Sequence, residues 1–532
     1  MPSTTLSSTS ASWLISLPPG AFTFSSRLAS SLSSTAFNAL WNAINAFGQM
    51  VISFIAFAYV TRVVGAESIG HYFFWYWIAS ALAVFAGNGM PAALSKFGAE
   101  FLGRGEPWFA HTLRRRFQRY QWGGAIASVL LLAGLPQLFG LSSFDWNTIA
   151  AIGSLAIAIA MSNAQVGTAA AWQEYKLLAT TRILQMLVSS LLMILFATWR
   201  LSAHWLIVAQ AIGISCGILI FRLWWRPPSR RSSQEIPRQL KRRIRQYVIL
   251  SSAIILVAML LWQRVEVMFL QVMATPSEVG YFGVAMTFAA ALMRLPGALL
   301  GVLTPRFSEL VAVEERRSIT DLTSNSFRLT AFIALPLVGF SSVLAEPCLA
   351  FFYGPTFAAA AYMFRFLICG QLLLLLSHVP RSLLFATNNE HKILLCDLAI
   401  CAVGLGLQPL AIHFLSGLGA AMANLTSMAA LLLVSASLLQ RLVRVSLPWR
   451  VLLRALSIVL ICCSVLLASL VTLDSAIVPW VGLAVCSLLY CVLCLRFGIL
   501  SREDMSRLST FCPPFASFIA KCTSISVPDR RG

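Results

Sequence analysis

Apolar stretches long enough to cross about 30 Å of hydrocarbon recur from one end of this 532-residue chain to the other. Roughly fourteen such spans can be marked. They cover residues 36–61, 71–95, 120–142, 148–172, 177–198, 204–224, 246–274, 279–303, 327–350, 358–386, 392–414, 417–440, 450–472 and 476–499. Only 11% of residues are charged and 58% are hydrophobic. A soluble chain would carry about a quarter charged residues. With a mean hydropathy of +0.79, the expectation is an all-α, polytopic membrane protein.

The net charge of +20 raises the question of nucleic acid, and the placement of the basic residues answers it. Counting loops from the N-terminus, the even ones hold Lys96, Arg104, Arg114–Arg116, Arg119, Lys176 and Arg182. The basic run from Arg222 to Arg245 follows, then Arg306, Arg316, Arg317, Arg328, Arg381, Lys392, Arg441, Arg444, Arg450 and Arg454. The odd loops hold Arg62 and Arg200 among acids such as Glu67, Asp145, Glu278, Glu346 and Asp474. Lys and Arg are retained on the cytoplasmic side. The charge therefore reports topology: even loops and both termini cytoplasmic, in a cytoplasmic (inner) membrane, with membrane lipid and not nucleic acid as surroundings.

Residues 1–35 are rich in Ser and Thr, lack a charged leader, and read as a disordered cytoplasmic tail. The cysteines lie mostly within apolar spans, so no disulfide framework is expected; the "CVLC" at 491–494 reads as helix packing. The segment "RLWWRPPSRRSSQEIPRQLKRRIRQ" contains Pro227, Pro228 and Pro237, which break regular helix. It separates six spans from the next six, the arithmetic of a parallel repeat. The expected division is an N-terminal lobe at 36–224, a basic linker at 225–245, a second lobe at 246–440, two further helices within 441–499, and a cytoplasmic tail at 500–532.

A local echo supports duplication. "ESIGHYFFWYW" opens the second span and "SEVGYFGVAM" opens the eighth, sharing Ser68/Ser277, Gly70/Gly280 and Tyr72/Tyr281. Each follows the outward loop after the first span of its half. The aromatic run 72–77 reads locally as an interfacial belt.

"RVVGAESIGHYFF", "AALSKFGAEFLGRGE", "EVGYFGVAMTFAAALMRLPGALLGVLTPRFSEL" and "EPCLAFFYGPTFAAAAYMFRFLICGQ" together resemble the polysaccharide-repeat exporters. These are the O-antigen flippase branch of the multidrug/oligosaccharidyl-lipid/polysaccharide superfamily. The resemblance covers most of residues 36–440. It implies two six-helix lobes around a central cavity with two extra C-terminal helices. It also implies flipping of a lipid-linked saccharide between leaflets, alongside other polysaccharide-assembly proteins. No catalytic residue, cofactor or metal comes with it.

Candidate substrate residues follow from polar groups in apolar spans. Asn38, Asn42, Asn45 and Gln49, extended by Ser53, recur at helical spacing on one face of the first span. Such a stripe either joins helices by hydrogen bonds or lines a hydrated cavity for sugar hydroxyls. In the seventh span, Arg264 falls near the midplane, about 15 Å from the outward end. Ionisable groups there face protein or water. Glu266, two residues on, points elsewhere; it either pairs with a cation on another helix or takes up a coupling proton. Arg294, near Pro296 and Gly297 in the eighth span, joins Arg264 as a candidate for a diphosphate, whose oxygens a guanidinium matches. Arg365 and Lys96 complete a cationic path, with snorkelling to the interface as the alternative. His71, His378 and His413 lack metal-ligand spacing and read as anchoring or packing groups.

Two rival readings stand beside flipping. A cation-coupled multidrug exporter of the same superfamily calls for an acidic site in the first lobe, where buried carboxylates are scarce. A polysaccharide polymerase or O-antigen ligase needs a large outward loop with clustered Arg, His and Asp, and the outward loops here are short.

Overall fold

The computed structural model describes residues 41, 47–87, 89–139, 145–225, 238–262, 265–298, 300, 303–312, 315–387, 389–445, 447–472 and 478–497. Among these there is no strand. A bilayer offers the backbone no hydrogen bonds, so each crossing segment satisfies its own as helix. Large apolar side chains point outward as readily as inward: Leu130 is 67% exposed and Val403 69%. Such an exterior suits lipid.

The first half holds α1 (Phe47–Val64), α2 (Ala66–Phe85), α3 (Gly89–Gly103), α4 (Pro107–Phe139), α5 (Trp146–Trp172), α6 (Tyr175–Thr198) and α7 (Ala203–Trp224). The second holds α8 (Arg238–Trp262), α9 (Glu266–Met273), α10 (Pro276–Ala298), α11 (Leu303–Ala312), α12 (Arg316–Val343), α13 (Ala345–Tyr353), α14 (Ala361–Ala386) and α15 (Glu390–Leu442). Then come α16 (Trp449–Thr472) and α17 (Val478–Arg496). Eight described helices are individually long and apolar enough to cross a membrane. The span expected at 71–95 is a bent pair instead: α2 and α3 meet at 48°, where Gly87 takes a φ of +105°.

Each lobe is built on one central helix. Ala- and Gly-rich α5 touches α2, α3, α4, α6 and α7, and α14 touches α10, α11, α12, α13 and α15. Small residues let such a helix approach several neighbours at once. Asp145 starts α5 by accepting the Thr148 N–H at 3.1 Å, the usual role of an N-cap carboxylate.

The long α15 is two spans. Ser416 has φ 48° and ψ −129°, outside helical geometry. Gln408 and Asn424 nevertheless both reach Oε1 of Glu266. In a straight helix sixteen residues are about 24 Å apart, so the chain doubles back at Ser416. Glu278 holds this corner by accepting the Gly417 N–H at 2.7 Å, supplying an acceptor to the first turn of the returning arm.

The lobes meet at both ends of the space between them. At the end away from the basic residues, α2 crosses α10 through the echoed glycines. A Cβ on Gly70 would collide with the carbonyl of Pro276, and one on Gly280 with the carbonyl of Ala66. The shared Gly thus marks a crossing that only hydrogen permits. At the basic end α3 meets α8: Ser251 Oγ donates to the Gly89 carbonyl at 3.2 Å, and Glu100 lies 3.7 Å from Arg243. The C-terminal pair α16 and α17 packs on α12, where Tyr490 donates to the Phe332 carbonyl at 3.0 Å.

Candidate transport site

Between the lobes lies a cavity of about 560 Å³. From the first half, Ser53, Phe54 and Phe57 of α1 line it, with Tyr72, Phe73, Tyr76 and Trp77 of α2 and Asn163, Ser190 and Gln210 of α5, α6 and α7. Val267, Thr287, Arg294 and Tyr353 come from the second. The aromatic run 72–77 is therefore largely a cavity wall, correcting its reading as an interfacial belt. Positions 72, 73, 76, 77, 80 and 84 of α2 share the wall because they share one helical face. Gln210 donates to the Tyr72 hydroxyl at 3.3 Å.

A second cavity of about 480 Å³ lies within the second lobe, between α10 and α14. Gln371, Leu375, His378 and Ser382 give its α14 wall. Arg294 lines both cavities. It is exposed to them, and among the described residues no carboxylate lies within ion-pair distance of it.

Behind Val267 sits a buried polar cluster. Glu266 is 2% exposed. Its Oε1 accepts from Asn424 Nδ2 at 2.8 Å and from Gln408 Nε2 at 3.3 Å. The amide oxygens Gln408 Oε1 and Asn424 Oδ1 are buried without a donor among the described residues. A void of about 10 Å³ beside them, bounded also by Gly404 and Ser427, is about the room of one water or small ion. Two side-chain amides of α15 thus hold the Glu266 carboxylate.

The other sequence-derived candidates scatter. Arg264, Asn38, Asn42 and Asn45 lie outside the described residues. Gln49 is partly buried on α1 and is not among the cavity-lining residues, whereas Ser53 is. Lys96 holds its ammonium 4.4 Å from the Tyr247 ring centre, at the contact of α3 with α8. Arg365 donates to the Ser342 carbonyl at 3.1 Å and faces Glu346 at 3.4 Å. Neither of these two cations lines either of these two cavities. His71 stacks on Trp75 with ring centres 5.4 Å apart, and His413 is exposed beside Phe414.

Two of the basic residues assigned to loops instead join one helix to another. Arg182 lies within α6, where it reaches the Ser162 carbonyl of α5 at 3.4 Å. Arg381 is buried in α14 and makes a two-pronged pair with Asp397 of α15, at 2.7 and 2.8 Å. Asp397, Gln408 and Asn424 were open to notice as polar residues within apolar spans. That Gln408 and Asn424 share Glu266 depends on the fold-back of α15.

The comparisons agree with this geometry. The profile of the family described as "Polysaccharide biosynthesis protein" matches residues 36–311. No curated protein matches the sequence. A solved structure of the lipid II flippase MurJ in an inward closed conformation is similar, with a TM-score of 0.64 at 15% identity, covering 85% of this chain and 97% of that one. An inward-facing multidrug resistance MATE family transporter of the MOP superfamily gives a TM-score of 0.60 at 14% identity, covering 74% and 96%. Its outward-facing counterpart gives 0.52 at 13% identity, covering 77% and 96%. The chain thus shares its two-lobed helical fold with these transporters, and it belongs to the polysaccharide biosynthesis protein family.

Proposed function

We propose that the chain carries a lipid-linked oligosaccharide, held on a polyprenyl diphosphate, from the cytoplasmic to the outer leaflet by alternating access, with no covalent bond made or broken. Arg294 carries this reading. It is a cation without a neutralising carboxylate among the described residues, and it lines both cavities. A charge at membrane depth is costly and marks a pathway, and a guanidinium pairs with phosphate oxygens in geometry and charge. Asn163, Gln210 and Tyr72 offer hydrogen bonds to sugar hydroxyls, and the aromatic wall offers apolar faces.

Sidedness follows from retention of basic residues on the cytoplasmic face, which puts both termini there. The moving bodies in this reading are the lobes 36–224 and 246–440. They part at the α2–α10 crossing or at the α3–α8 contact in turn. Glu266 is the coupling residue. Its cluster presents a carboxylate and two amide oxygens lacking donors, a set that a proton or a small cation satisfies.

The multidrug reading draws support from the aromatic cavity wall and the buried Glu266. Against it, Arg294 repels a cationic drug in the same cavity. Depletion of the protein, followed by an assay of lipid-linked saccharide with a membrane-impermeant probe, tests the proposal. Accumulation shielded from the probe supports flipping. Unchanged saccharide with altered dye efflux overturns it in favour of drug export.

A further inference from the structure

Away from both cavities, at the basic end of the first lobe, α4 sets Arg114 on a tryptophan floor, with Arg222 of α7 nearby. The guanidinium carbon of Arg114 lies 4.2 Å from the ring centre of Trp225. Trp225 is buried. It meets Trp172 edge-on with ring centres 5.4 Å apart and stacks on Phe221 at 6.2 Å. Aromatic packing from the ends of α5 and α7 thus fixes where Arg114 sits, and the ring faces favour a cation there.

We propose that Arg114 and Arg222, with Trp225 beneath Arg114 and Trp172 packed beside it, form a binding site for the phosphate of an anionic phospholipid. The side chains of these two arginines and two tryptophans are all donors. Arg114 Nε and Trp172 Nε1 are buried without an acceptor among the described residues. Nor does any described carboxylate lie within ion-pair distance of Arg114, Arg115 or Arg222. Burial, with Arg222 and Arg115 close by, pulls the Arg114 guanidinium down to about 10. Like charges held together over orphaned N–H groups call for an anion with several oxygens, which phosphate supplies.

The neighbouring surface points to a lipid as the source of that phosphate. On α7 the exposed face running towards Arg222 carries Ile212 and Leu219, at spacings of seven and three residues, with Leu223 beside them. These side chains are 41%, 56% and 65% exposed. An acyl chain can lie along them while its headgroup reaches the arginines. Tryptophans favour the headgroup boundary, and basic pockets between helices on the cytoplasmic side suit anionic headgroups.

The test uses the full-length protein in detergent. Dioleoyl phosphatidylglycerol, dioleoyl phosphatidylcholine and inorganic phosphate are titrated separately, and bound lipid is read by native mass spectrometry. Phosphatidylglycerol should bind more tightly than phosphatidylcholine. Arg114→Gln and Arg222→Gln should each weaken it about fivefold, the factor for one charge near the membrane surface. Arg119→Gln, an exposed change on the same α4, should leave it unaltered. Arg222 is itself exposed, so Arg222→Gln carries the test even if Arg114→Gln fails to fold. Equal binding of the two lipids, or equal phosphatidylglycerol binding by Arg222→Gln and the parent, overturns the site. Binding of inorganic phosphate with no preference for phosphatidylglycerol overturns the assignment to a lipid.

Discussion

Asn424 donates its side-chain amide to Oε1 of Glu266 across 2.8 Å, joining α9 to the returning arm of α15. This bond ties a titratable group to a helix that turns sharply at Ser416, so the charge state of Glu266 can bias how that arm packs. Glu266→Gln keeps the shape and removes the titration. The expected outcome is a protein that inserts normally but transports at a rate indifferent to an imposed proton or cation gradient in proteoliposomes. A gradient response equal to that of the parent would falsify the coupling role. Asn424→Leu leaves the buried carboxylate one donor short, at a cost of about 1–3 kcal/mol, readable as a lower midpoint of thermal unfolding in detergent.

Arg294 belongs to both cavities at once, which separates its role from that of a cation on the rim. Arg294→Ala should weaken binding of a polyprenyl diphosphate by roughly tenfold to a hundredfold, the value of a hydrogen bond to a charged group. Arg294→Lys should fall between, keeping charge while losing the planar fork. Binding is measured on purified protein with a polyprenyl-diphosphate saccharide, and export in cells. Arg264→Ala is expected to abolish export while leaving the protein in the membrane. Unimpaired export by both alanine variants would remove the cationic path.

The echoed glycines predict a gating defect. Even one methyl group on Gly70 meets the Pro276 carbonyl, which is backbone and cannot rotate aside. Gly70→Ala and Gly280→Ala should each loosen the α2–α10 crossing, at about 1–3 kcal/mol for overpacking. The conformational equilibrium should move towards opening at that end. Cysteines introduced at Glu67 and Thr275 report it through labelling by an impermeant maleimide, which should rise in both variants. Unchanged labelling in a stable variant would count against a gate at this crossing.

Much of the fold is legible because lipid imposes length and the basic residues impose sides. The expected spans 392–414 and 417–440 bracket Ser416, where the helix breaks. The echoed Gly70 and Gly280 meet at one crossing of α2 and α10. What failed was depth. Charge alternation reads any arginine near a span end as cytoplasmic, and so places Arg182 and Arg381 in loops. Both lie inside helices, Arg182 against a carbonyl and Arg381 against a carboxylate. Gln408 and Asn424 were out of reach for another reason. Sixteen residues apart, they share a partner only once the chain folds back.

The buried pair Arg381–Asp397 yields a last prediction, on stability and not on transport. Its two parallel bonds of 2.7 and 2.8 Å fasten α14 to the first arm of α15. Both groups are buried, at 6% and 8% exposure. Desolvating two ions offsets much of their attraction, so the pair itself adds little, whereas removing one partner strands the other. Asp397→Ala should therefore lower stability by about 3–5 kcal/mol. Joint replacement by Arg381→Met and Asp397→Leu should recover most of that loss, because no uncompensated charge remains. Thermal unfolding followed by size-exclusion chromatography of detergent-solubilised protein separates the two cases. If the double variant is as unstable as Asp397→Ala, the pair holds the lobe together by more than mutual neutralisation, and this account of it is wrong.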